Sequence, residues 1–197
     1  MSQHGWDIEY AGDCTLRAAA ALLLLVLAGL QFAIAAPPTT PASIPFGEGA
    51  DPQARGSARM VGNILEYTKW PTAHSAIGLC IVGAARHGSQ LGSITLSNGT
   101  PVSSYFLAAE TDILPDACNA LYLGNLDLET MRRWTGIARG MPVVTIAEND
   151  PDCRSEAMFC LVFLPEAMAF TLNIDAVSRS TVRIDPRVLR MSRRGAD

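Results

Sequence analysis

Recognisable catalytic motifs are what this 197-residue chain most plainly lacks. It has no H-E-x-x-H and no G-x-S-x-G elbow, so the familiar zinc-protease and serine-hydrolase sites have nothing to build on. Past residue 35 the histidines are His74 and His87, and neither stands at ligand spacing from another His or a Cys. Gly83-Ala84-Ala85-Arg86-His87-Gly88 has the look of a phosphate loop, yet it lacks the Lys and Ser/Thr that hold phosphate and magnesium. Glu148, Asp150 and Asp152 make an acidic stretch with too few oxygen donors for a hard cation, and it reads as a solvated loop. Lysine is almost missing, Lys69 being the only one. A net charge of -4, about -2 once the first 35 residues are set aside, gives no whole-domain signal for nucleic acid. No internal repeat is present. These absences point away from an enzyme, a cofactor protein or a metalloprotein, and towards a binding or regulatory role.

The front of the chain is informative. Residues 18–35 run AAAALLLLVLAGLQFAIA without a charge, Arg17 precedes them, and Ala33-Ile34-Ala35 offers the small residues a signal peptidase needs. The run is also close to spanning length, so an uncleaved anchor is the alternative. Either way the rest of the chain ends outside the cytoplasm. We divide the sequence into an export leader (1–35), a flexible linker rich in Pro, Thr, Gly and Ala (36–56), and one α/β domain (57–194).

Behind the leader stand four cysteines, Cys80, Cys118, Cys153 and Cys160, while Cys14 lies within or ahead of it. An even count in an exported chain implies two disulfides.

Hydrophobic periodicity supplies the layout. Ser57 is expected to cap a helix carrying Met60, Val61, Ile64 and Leu65. A strand follows at Ile77–Val82, a weaker helix at Arg86–Leu96, and strands at Val102–Leu107 and Leu121–Leu123. Asp127 caps a helix with Leu128, Met131, Trp134 and Ala138 on one face. A strand at Val143–Ile146 precedes a hairpin, Phe159–Leu164 and Ala169–Ile174, turning at Pro165-Glu166. A helical turn at Asp175–Ser180, an extended piece at Val182–Ile184 and a short helix from Pro186 complete the chain. This order predicts a three-layer α/β/α domain with a mostly parallel mixed sheet, a C-terminal antiparallel hairpin and two disulfides. Any ligand crevice would lie past Gly83, Gly124 and Glu148 at the strand ends.

Four cysteines allow three connectivities. In a doubly wound sheet of flavodoxin-like order the first and third strands are neighbours. That favours Cys80–Cys118, leaving Cys153–Cys160 at the mouth of the hairpin. The close pair is C-x6-C, not the C-x-x-C of redox catalysts, so a structural role is expected.

The most specific segment is FTLNIDAVSRSTVRIDPRVLRMSRR, Phe170 to Arg194. With LEYTKWP, LCIVG, YLGNL and DCRSEAMFCLVF, it resembles the YfiR family of periplasmic regulators. The departures are an acidic leader and a longer proline arm. The resemblance implies a negative regulator of cyclic-di-GMP signalling that binds and inhibits the periplasmic sensory domain of a membrane diguanylate cyclase. It implies release by an outer-membrane lipoprotein, redox control through the disulfides, a homodimer, and no nucleic-acid partner. The docking residues are expected in the tail: Thr171, Asn173, Val177, Arg179, Arg183 and Arg187. Asn173 and Asp175 can also cap the following turn. Alternation places Phe170, Leu172 and Ile174 towards the core, and Arg179 and Arg183 offer forks for carboxylates or phosphates. The runner-up is a periplasmic small-molecule-binding sensor.

Overall fold

The computed structural model describes residues 43–193, with side chains through Met191. The leader lies outside the described residues. The described residues begin with β1 (Ser43–Pro45) and α1 (Pro52–Glu66); β1 and the first turn of α1 fall in the stretch expected to be a flexible linker. Two local devices start α1. Asp51 accepts a hydrogen bond from the Ala54 N–H at 3.1 Å, and Pro52 brings a helical φ to the first turn. Ser57, the expected cap, is instead buried inside the helix. Met60, Val61, Ile64 and Leu65 bury its inner face as their spacing requires.

The sheet follows from apolar runs bounded by turns. β2 (Thr68–Lys69) is short, β3 (Ile77–Val82) is buried throughout, and β4 (Val102–Leu107) and β5 (Ala120–Leu123) pair parallel with β3 on either side. α2 (Leu128–Ile137) starts at Asp127, whose carboxylate accepts from the Thr130 N–H at 2.8 Å. Those Thr130 hydrogen bonds hold the Asp127 carboxyl below its ordinary range. β6 (Val144–Ala147), β7 (Phe159–Phe163) and β8 (Ala167–Leu172) extend the sheet, with β7 and β8 forming the expected antiparallel hairpin. The seven-stranded order is β1-β8-β7-β6-β5-β3-β4. The parallel strands follow the flavodoxin-like order, and β1 closes the far edge against β8.

Alternation on the buried strands feeds two cores. Leu79, Ile81, Tyr122 and Ile146 pack with α1, while Cys80, Val82, Leu121 and Leu123 pack with Met131 and Trp134 of α2. The result is the expected three-layer arrangement. Both disulfides form as paired above: Cys80–Cys118 with Cα atoms 5.5 Å apart and Cys153–Cys160 with 5.4 Å.

The weaker helix at Arg86–Leu96 does not form. Only a single 3-10 turn, Leu91–Ser93, appears there. Gly88 and Gly92 each cost about 1 kcal/mol in a helix, and the N–H groups of Arg86 and His87 are taken by the Glu148 carboxylate.

Candidate functional site

The tail is built from three short pieces. β8 hands over to α3 (Ile174–Ser178), β9 (Arg183–Ile184) follows, and a 3-10 segment spans Pro186–Arg193. Asn173 breaks the strand and caps α3, its side chain accepting from the Ala176 N–H at 3.0 Å. The strand therefore ends at Leu172, two residues short of the expected Ile174. Phe170 is buried and Leu172 half-buried, but Ile174 is 73% exposed at the start of the helix rather than in the core.

The structure sorts the expected docking residues into two groups. Thr171 and Arg183 are exposed, and among the described residues Arg183 has no ion-pair partner. Asn173, Val177, Arg179 and Arg187 hold the tail itself. Val177 is half-buried against the α1-side core. Arg179 pairs with Asp175 and lies 3.7 Å from Glu156. Glu156 also takes Arg139 of the loop after α2 at 2.8 Å, so one carboxylate ties the disulfide loop to α3. Arg187 reaches Asp185 at 2.7 Å and stands 5.9 Å over the Tyr67 ring. Its hydrogen bonds push the Asp185 carboxyl down to about 2, with Lys69 adding a smaller pull. Leu189 is half exposed, at 52%.

Sequence reasoning missed the seat of Arg183. β9 pairs antiparallel with β2, placing Arg183 directly opposite Lys69 and Thr68 opposite Ile184. Opposed residues share a face. Thr68 is buried and Ile184 packs on the core, whereas Lys69 and Arg183 are exposed. The chain's single lysine thus doubles the positive charge at the motif arginine. Two-residue strands have no period from which this pairing could be read.

The strand-end crevice is filled from within. Glu148 is buried, and its carboxylate accepts from the N–H groups of Arg86 at 2.9 Å and His87 at 2.7 Å. The phosphate-like loop therefore holds a carboxylate of its own chain. Gly124 lets that loop close, since a Cβ there would lie 2.6 Å from the Ala84 carbonyl oxygen. Burial, with Glu148 alongside, pushes the Tyr122 phenol well above its ordinary range. Asp150 is buried too, accepting from the N–H groups of Arg154 at 2.8 Å and Ser155 at 2.6 Å. Of the acidic stretch expected to be solvated, only Asp152 is exposed.

This fold and site define a class: a disulfide-stapled α/β recognition domain with a basic, well-pinned tail. Residues 55–193 match the family described as YfiR/HmsC-like (DUF4154), and the chain belongs to that family. Its members are non-catalytic periplasmic regulators, and the chain has a regulatory role in cyclic-di-GMP signalling through protein–protein interaction. Among the described residues no helix is long and apolar enough to cross a membrane. Among solved structures, an alanine–glyoxylate aminotransferase from Nostoc sp. is similar at 14% identity and a TM-score of 0.37. The match covers 63% of this chain and 39% of that one.

Proposed function

We propose that this protein represses a membrane diguanylate cyclase by docking the cyclase's periplasmic sensory domain on its C-terminal tail. The observation that carries the reading is Arg183: it is exposed, faces the same side as Lys69, and lies within the matched residues 55–193. An exposed guanidinium can fork onto a partner carboxylate, and a second cation beside it raises the local field. Thr171, Ile174 and Leu189 add exposed contact surface on neighbouring tail pieces. Asn173, Val177, Arg179 and Arg187 contribute chiefly by holding the tail in shape.

Release follows if an outer-membrane lipoprotein competes for the same surface, and a homodimer would present two such tails. Redox control enters at Cys153–Cys160. Thr171 stands opposite Cys160 in the β7–β8 ladder, and Glu156 within the disulfide loop holds Arg179. Opening the loop would loosen both sides of the tail. The experiment is a binding titration of the cyclase's periplasmic domain with the protein and its Arg183→Ala variant. Loss of tenfold or more in affinity with an unchanged melting temperature supports the reading. Equal affinity for the two proteins contradicts it.

One observation favours a second reading, the small-molecule sensor. A cavity of about 490 Å³ lies where β3 begins, lined by Lys69, Trp70, His74 and Thr100 among others. That is within the size range of small-ligand sites, roughly 300–1,000 Å³. It stands at the opposite end of the strands from the filled crevice. A thermal-shift screen of nucleotides, amino acids and wall fragments separates the readings. Saturable stabilisation that the Trp70→Ala variant loses, with no cyclase binding, favours the sensor.

A further inference from the structure

We infer that the Cys153–Cys160 loop is a thiophilic metal site, for zinc or a similar divalent ion, whenever its disulfide is reduced. Four donors converge there. The Asp150 carboxylate and the two sulfurs have ligand atoms all within 4.8 Å of one another. The Ala157 carbonyl oxygen lies 3.7 Å from Cys153 Sγ and 3.9 Å from Cys160 Sγ, and Asp150 Oδ2 lies 3.8 Å from Cys160 Sγ. In a tetrahedral zinc site, metal–sulfur bonds of about 2.3 Å and metal–oxygen bonds of about 2.1 Å set each sulfur–oxygen edge at ~3.6 Å. Three sulfur–oxygen distances therefore already lie close to that edge. Reduction frees the sulfurs to separate towards an edge of ~3.8 Å on the same geometry.

The surroundings suit an ion. Asp150 Oδ1 and Oδ2 each accept one backbone N–H, from Arg154 and Ser155, which orients the carboxylate and leaves each oxygen a lone pair. Asp150, Ala157 and Cys160 are buried, while Cys153 is half-buried and gives the path of entry. Cys153 and Glu156 hold left-handed backbone, at φ 53° and 63°, so the loop is wrapped tightly about this point. The spacing of the histidines and of the acidic stretch argues against a metal in the oxidised chain. It holds no information about a dithiol state.

The chemistry balances with one co-reactant, an exported dithiol. Two of its thiols become its own disulfide, and the two electrons and two protons convert Cys153–Cys160 into two thiols. Zinc then displaces both thiol protons to solvent and takes two thiolates, one carboxylate and the carbonyl. Capture would hold the reduced loop closed and block reoxidation. Metal binding here does not depend on cyclase repression, and its test has no cyclase in it.

The test uses the full chain, either oxidised or reduced anaerobically with a phosphine, titrated with Co²⁺ and then Zn²⁺. The reduced, folded protein should develop the thiolate-to-cobalt charge-transfer band and tetrahedral visible bands at one ion per chain, and zinc should bleach them. The oxidised protein should give neither. C153S/C160S, which keeps Cys14, Cys80 and Cys118, should lose both bands. Asp150→Asn should weaken binding tenfold or more. Far-ultraviolet dichroism on each sample confirms folding. A reduced, folded protein with no band overturns the site, as does a band that survives in C153S/C160S or in oxidised protein.

Discussion

Arg183 and Arg187 are four residues apart and do different work. Arg187 is spent on Asp185 and Tyr67, whereas Arg183 stands beside Lys69 with no acidic partner among the described residues. Arg183→Ala should therefore leave the melting temperature within a degree or two and cut cyclase-domain binding. Arg187→Ala should loosen the last segment, seen as faster amide exchange over residues 183–191. The Asp185 bridge also has a pH signature. Its carboxyl sits at about 2 in the folded chain against an ordinary 3.8, so its contribution is whole above about pH 4 and is lost as pH falls towards 2. In an acid melt, Asp185→Asn should flatten the stability profile between those values. An unchanged profile would show that the bridge adds nothing. Glu148 belongs at this scale as well. Glu148→Ala would strip two loop N–H groups of their acceptor, at about 1–3 kcal/mol each. A thermal melt should register a loss of several degrees.

At the scale of elements, two contacts decide whether the sheet and its hairpin hold. Gly78 lies where β3 meets the loop carrying Cys118, and a Cβ there would stand 1.7 Å from the Ala117 carbonyl oxygen. Gly78→Ala should force β3 and that loop apart, lowering the yield of folded protein and of the Cys80–Cys118 bond, measured by non-reducing peptide mapping. The hairpin disulfide is worth less. Chain entropy gives roughly 2.5 kcal/mol for its short loop and about 4 kcal/mol for the longer Cys80–Cys118 loop. C153S/C160S should thus fold, melt lower and show faster exchange over residues 150–160 and, through the Glu156–Arg179 contact, over residues 174–180. Slower or equal exchange would contradict the proposed coupling of loop and tail.

Elements with a full hydrophobic period were legible in sequence: α1, α2, β3 and the β7–β8 hairpin stand within a few residues of their expected places. The cysteine pairing followed because strand order alone brings Cys80 next to Cys118. What escaped has a common physical cause. The β2–β9 ribbon and the Glu148 clasp on the Arg86–His87 backbone are contacts between residues distant in sequence. Such contacts leave no periodic trace. Among the tail residues expected to dock a partner, sequence could not tell those that face outward from those that pin the tail.

At the scale of the whole molecule, the described domain is a seven-stranded sheet covered on both faces. β1 and α1 close one side, α2 and the Cys80–Cys118 bond close the other, and the strand-end crevice is filled by Glu148. The tail is held to that domain by Arg179, Arg187 and Val177, with Arg183 left facing outward. A regulator built this way needs no turnover. On the repression proposed above, it needs only to hold a cyclase in one state and let go.

The most direct measurement is cyclic-di-GMP in cells lacking this gene, complemented with the wild-type protein or with Arg183→Ala at equal abundance. Deletion should raise the nucleotide, the wild-type protein should restore the low level, and Arg183→Ala should fail to do so. An unchanged level on deletion, under conditions where the protein is made, would contradict repression of a cyclase.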